Sequence, residues 1–125
     1  MQKSCRISIK NFEIIVKLNS SVTAQKIWHS LPVVSKTNTW GKEIYFYTSI
    51  DQKLEKSAKE IIEFGEIVYW PTGRAIAIGF GKTPLSIMDE IRLASKCNVW
   101  GYTDFDLNKL CKIVGGEQIK MERVL

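Results

Sequence analysis

The chain holds one histidine, three cysteines and four arginines among 125 residues, and each shortage closes off a class of chemistry. Any reaction that needs an imidazole base must use His29. That residue flanks an apolar helical stripe without joining it, so a surface position is its plainer reading. A Ser-His-Asp triad has no support. Cys5, Cys97 and Cys111 lack CxxC spacing, and with His29 they make only a nominal zinc set without local ligand pairs. No metal and no cofactor are therefore expected. Three cysteines cannot all pair within one chain, and buried free thiols in a reducing cytoplasm are the simpler expectation. No uncharged run approaches the length of a membrane span. The opening Met1 to Arg6 shows no apolar segment of a secretory signal, which points to a cytoplasmic protein.

Lysine and arginine together number 18 against 13 acidic residues, a net charge of +5 with a sequence pI near 9.2. Most of that excess is lysine. Lys10, Lys17, Lys26, Lys36 and Lys42 stand singly, whereas bidentate recognition of phosphates and bases favours clustered arginine. Nucleic acid is not the expected partner, and the dispersed charge reads as solubility. The hydrophobic fraction of 45% and the charged fraction of 25% are those of an ordinary globular chain. One domain spanning residues 1–125 is expected from the length and the absence of a linker.

Periodicity supplies the elements. Cys5, Ile7 and Ile9 alternate with polar residues, Lys10-Asn11 turns the chain, and Phe12, Ile14, Val16 and Leu18 alternate again, which is a hairpin. Ser20 and Ser21 are candidate caps for a helix over 22–31, whose Ala24, Ile27, Trp28 and Leu31 form one stripe stopped by Pro32. Val33 to Trp40 is extended, and Glu43 to Thr48 is an aromatic, alternating strand. Residues 51–63 fit a helix or the start of a strand equally. Glu66 to Phe80 is a hairpin around Trp70-Pro71-Thr72-Gly73, a type I turn sequence. On its second strand Ile76, Ile78 and Phe80 make one face and Ala75, Ala77 and Gly79 the other. A face of small residues implies that another element or a ligand lies close against it. Residues 82–96 have no clean period and read as a functional loop or flap. Cys97 to Tyr102 resumes a strand. Thr103-x-x-Asp106 resembles a capping box for a second helix over 104–113, with Leu107, Leu110, Cys111 and Val114 at helical spacing. Glu117 to Val124 ends the chain as a strand with Ile119 and Met121 inward. The inventory is seven or eight strands and two short helices, which suits a closed antiparallel barrel plugged at its ends.

Three segments carry a family resemblance. Asn38-Thr39-Trp40-Gly41-Lys42-Glu43-Ile44-Tyr45-Phe46, Gly65-Glu66-Ile67-Val68-Tyr69-Trp70-Pro71 and Phe80-Gly81-Lys82-Thr83-Pro84-Leu85-Ser86 resemble a family of small cyclophilin-like proteins. Its members are mostly archaeal or from thermophilic bacteria, with no established function. Ile27 to Pro32 and Asn98-Val99-Trp100-Gly101 fit it too. The resemblance implies a mainly β, closed antiparallel cyclophilin-like barrel with two short α-helices. It does not carry prolyl isomerase activity with it. The enzymes resemble one another through a Phe-x-x-Gln-Gly-Gly strand and a catalytic arginine. This chain has no Gln-Gly-Gly, and Arg74 sits in a hairpin turn of a different motif.

Among single residues, Glu43 shares a strand face with Tyr45 and Tyr47. It is either a surface carboxylate paired with a lysine or an acid, base or ligand anchor whose pKa the aromatics raise. Gly81-Lys82-Thr83-Pro84-Leu85-Ser86 lacks the spacing of a phosphate loop. Trp28 belongs to a helix stripe, while Trp40, Trp70 and Trp100 stand at strand ends, where they line a pocket or plug the barrel. The expected site is a cleft where Trp40, Glu43, Trp70, Arg74, Phe80, Thr83 and Ser86 converge, with Tyr45 in its wall and Asn98 as a further polar contact. The expected function is a non-catalytic binding module for a small-molecule or peptide ligand. The alternative is an enzyme, either a divergent prolyl isomerase or one using Glu43 in acid-base work. The sequence leaves the oligomeric state open.

Overall fold

The computed structural model describes residues 2–125. The chain enters through a hairpin, β1 (Ser4–Ile9) and β2 (Phe12–Leu18), in which Ile7 faces Ile14 and Cys5 faces Val16. Lys10 takes a positive φ of 52° at its tight turn. Helix α1 (Val22–Ser30) follows, capped by Ser21, whose hydroxyl accepts from the Ala24 amide at 3.0 Å. Thr23, Ala24 and Ile27 are its buried side chains. Trp28 is only half-buried, between the cations of Lys3 and Arg123.

Eight more strands complete the sheet: β3 (Val33–Lys36), β4 (Asn38–Thr39), β5 (Glu43–Tyr47), β6 (Lys59–Ile62), β7 (Glu66–Trp70), β8 (Ala75–Gly79), β9 (Ile91–Tyr102) and β10 (Gln118–Arg123). The order is β3-β10-β1-β2-β9-β7-β8-β5-β4, antiparallel throughout, and β6 pairs only with β9. The two ends of that path, β3 and β4, are neighbours in sequence, so the chain itself closes the barrel at Thr37. Thr37 is pinned from all sides. Its amide donates to the Glu117 carbonyl at 2.8 Å and its hydroxyl to the Val114 carbonyl at 2.7 Å, while the amides of Gly116 and Glu117 donate back to it. Across the remaining seam the Ser35 hydroxyl donates to the Tyr47 carbonyl at 2.7 Å.

Two apolar layers result. The barrel interior takes Ile7, Ile14, Ile44, Phe46, Ile76 and Trp100, among others. A second, smaller layer lies on the opposite face of β7 and β8 and holds Ile62, Val68, Ala77, Ile91, Leu93 and Cys97. β8 is therefore buried along its whole length, and its small face is covered by the protein's own β6 and the first half of β9. A methyl added at Gly79 would stand 2.8 Å from Ile91 Cγ2.

The sequence expectations need correction at three points, and the alternatives left open at 51–63 are resolved. The second helix is only a 3-10 turn at Leu107–Leu110. Leu107 and Leu110 are buried, but Cys111 and Val114 are exposed, so the apolar stripe is too short to hold more than one turn. Asp106 caps that turn, while the Thr103 hydroxyl donates to the Ile15 carbonyl at 2.7 Å. Segment 82–96 is not one loop, because β9 already begins at Ile91. Burial alternates from Ile91 through Leu93 to Cys97, but Ser95 stands where the pattern wants an apolar residue, so the sequence hides the continuation. Residues 51–63 hold a short strand and no helix. Of the three thiols, Cys5 and Cys97 are buried and Cys111 is exposed.

If the outer layer closes on β8 as described, Gly79→Val wedges Ile91 and Ile62 away and costs about 1–3 kcal/mol of stability. Urea denaturation measures it, and an unchanged midpoint would mean that the layer does not rest on this strand.

Candidate functional site

The small face of β8 sets the geometry. In register, Ala75 lies between Tyr47 of β5 and Trp70 of β7, and Ala77 between Tyr45 and Val68. Two methyl side chains thus separate larger groups on both sides, and the gap between them is a shallow cup. Trp40, Tyr45, Tyr47, Trp70 and Ala94 line it, around a volume of about 220 Å³. The rings are held from outside the cup. Trp70 Nε1 donates to the Ser95 hydroxyl at 2.7 Å, the Trp40 amide donates to the Glu43 carbonyl at 3.0 Å, and Tyr45 and Tyr47 meet edge to face at 5.7 Å. Trp40, Tyr45 and Trp70 are half-buried, and Tyr47 is 52% exposed.

Glu43 opens the same face of β5, opposite Gly79. It is 8% exposed, and its Oε1 is buried without a hydrogen-bond partner. Burial pushes its carboxyl up to about 7. Its charge in turn adds to the burial that raises the Cys97 thiol to about 12, and contributes to the raised pKa of Tyr45. The surface reading of Glu43 is excluded. Among the described residues no ion pair includes it.

The other expected residues lie elsewhere. Phe80 is inside the barrel, as the alternation with Ile76 and Ile78 requires. Arg74 is exposed in a left-handed conformation that ends the β7–β8 turn, and its guanidinium faces Asp51 at 3.6 Å. Thr83 and Ser86 staple the 81–90 loop: the Ser86 hydroxyl accepts from the Thr83 amide at 2.9 Å, and the Thr83 hydroxyl donates to the Arg92 carbonyl at 2.5 Å. Asn98 is buried and fully used. Its side chain accepts from the Glu55 amide at 2.8 Å and donates to the Lys53 carbonyl at 2.8 Å and to the Thr23 hydroxyl at 3.0 Å. It fastens segment 53–55 to α1 and β9. The expected cleft thus contracts to three of its residues, Trp40, Tyr45 and Trp70, with Glu43 beside them. Tyr47 was legible from its alternation with Tyr45. Ala94 was not, because residues 82–96 carry no clean apolar period in the sequence.

Wider depressions exist, of about 380 Å³ beside α1 at Lys3, Asn19 and Trp28 and about 740 Å³ along β3 at Val34, Lys36 and Asn38. Neither holds an unpartnered buried polar group. Among the described residues no three His, Cys, Asp or Glu come together that could hold a metal ion, and no helix is long and apolar enough to cross a membrane.

The Glu43 carboxyl has a testable thermodynamic signature. Its pKa rises from 4.5 in the unfolded chain to about 7 in the fold, so between those values the folded state holds the extra proton. Stability from this group is then present below pH 4.5 and lost as pH rises through 7, by about 3 kcal/mol at most. Glu43→Gln removes the titration. Its stability relative to the parent protein should grow between pH 4.5 and 8 in denaturant titrations, and a constant difference would contradict the burial of an ionisable carboxyl.

Comparison with known proteins agrees with this architecture. A family model described as Cyclophilin-like matches residues 3–122. Among solved structures the chain is similar to a hypothetical protein of Archaeoglobus fulgidus determined in solution. The two are 36% identical, with 98% of this chain and 95% of that one covered and a TM-score of 0.82. A search of curated proteins found no match. Matched over nearly its full length in sequence, and alike in fold to a relative of almost the same extent, the chain belongs to the Cyclophilin-like family.

Proposed function

We propose that the protein is a non-catalytic binding module that receives a compact group of a small molecule or peptide in its aromatic cup. The observation that supports this most is the exposure of four aromatic rings around one gap of about 220 Å³. Partly exposed aromatics gathered at one place offer large, rigid contact surfaces at low entropic cost. The gap suits a branched alkyl group, a small ring or an ammonium head.

A second reading, acid-base catalysis by Glu43, draws on its pKa near 7. The site offers it little help: His29 is exposed on α1. The one arginine considered for prolyl isomerisation, Arg74, is turned to Asp51. Binding without chemistry is the reading adopted.

Titration with a panel of compact probes, neutral and charged, tests it. A ligand in the cup shifts the indole resonances of Trp40 and Trp70 and leaves that of Trp100, which lies inside the barrel. Trp70→Ala should weaken binding at least tenfold, about 1.4 kcal/mol, and Arg74→Ala should leave it unchanged. A panel that moves none of the cup resonances would refute the reading.

A further inference from the structure

Glu43 raises a question that the barrel does not answer. A buried carboxylate without a compensating charge is expensive, and proteins normally supply a cation or donors to its oxygens. Two cations of the covering elements are committed to other acids, and the third, Lys96 of β9, is exposed on the strand and in none of the ion pairs among the described residues. Lys59 of β6 is 2.8 Å from Glu66, and Arg92 of β9 is 2.6 Å from Glu90 and 3.5 Å from Glu60. Arg74, beyond the β7–β8 turn, faces Asp51. Among the described residues the cation–ring contacts fall on Trp28 and Phe105, and none falls on a ring of the cup. The same strand face therefore carries a carboxyl lacking a partner and, two and four residues on, Tyr45 and Tyr47 with their ring surfaces free of any cation of the chain.

These needs are complementary, and we propose that the group received by the cup is a substituted ammonium cation, its alkyl groups against Trp40, Tyr45, Tyr47 and Trp70 and Glu43 its counter-charge. The inference rests on the reading of the cup as a binding site and adds the ligand's charge. Aromatic faces attract cations through their quadrupole, most strongly where water is partly excluded. Glu43 stands beside the cup rather than in its wall, and its Oε1 is closed off, so the carboxylate acts on the cation as a charge on the same strand face. Burial and Tyr47 raise the pKa of Tyr45, and the Glu43 charge two residues away on the same strand face adds to them. Since the chain's net charge is +5, the attraction must be local to this carboxyl and these rings.

The deciding experiment compares two probes of one shape and different charge, protonated 2-(dimethylamino)ethanol and 3-methyl-1-butanol, by chemical-shift titration of the full chain at pH 7.5. The proposal expects the ammonium to bind at least tenfold more tightly than the alcohol, and this advantage to vanish in Glu43→Gln. The comparison on the parent protein stands even if that variant does not fold. If both probes move the cup resonances with equal affinity, the cation inference is overturned and the binding site stands. If neither moves them, the proposed function falls with it.

Discussion

β8 is the strand on which the rest of the molecule depends, because it is buried on both faces. On its barrel side Ile76 and Ile78 fill the interior, and that side alone would make an ordinary half-exposed strand. On the other side Ala75, Ala77 and Gly79 are too small to form a layer themselves. They let β6 and the start of β9 lie down close over the sheet, with Ile91 and Ile62 against Gly79. Where that cover stops, the same small residues leave a gap between Tyr45, Tyr47 and Trp70. Core and cup are two consequences of one sequence pattern.

The closed barrel supplies rigidity to this arrangement. Its path begins and ends at strands joined through Thr37, whose backbone and hydroxyl together hold the 114–117 turn. Tyr69 and Trp100 fill its interior, and Asn98 ties the 53–55 segment to the strand that crosses both layers. The cup rings therefore stand on strands that have little freedom to move, a favourable condition for a preformed binding surface. Glu43 is the exception to an otherwise satisfied outer layer. An apolar residue opposite Gly79 would be buried at lower cost, so its carboxyl is the feature that core packing does not require.

Much of the fold was legible because alternation is a strong signal wherever one face is buried. The β1–β2 hairpin, the two faces of β8 and the last strand follow from it, and α1 follows from its helical stripe. The second helix failed for a definite reason: Leu107 and Leu110 satisfy one turn, and the two apolar residues that appeared to extend it point to solvent. The site was legible in part. Trp40 and Trp70 were identifiable as aromatics at strand ends and Tyr45 by its alternation with Glu43, and the bare face of β8 correctly demanded a close neighbour. That neighbour is β6 with β9, which no local pattern shows, because Ser95 interrupts the apolar alternation between Leu93 and Cys97. Phe80, Thr83 and Ser86 were drawn into the cleft by proximity in sequence and Asn98 was added as a polar contact, yet strand pleat sends Phe80 inward, and the three polar side chains are spent on backbone and side-chain hydrogen bonds.

What gives the outer face its chemistry is the single carboxyl placed beside the rings without a partner of its own. The ionisation of that group can be read directly, by following the side-chain carboxyl carbon of Glu43 through a pH titration of the isotopically labelled, ligand-free protein. The account predicts a midpoint near 7, with the resonances of Tyr45 and Cys97 moving in step. A midpoint at the ordinary glutamate value of 4.5 would mean that water or a cation already compensates Glu43. The link between the buried carboxyl and the aromatic cup would then be contradicted.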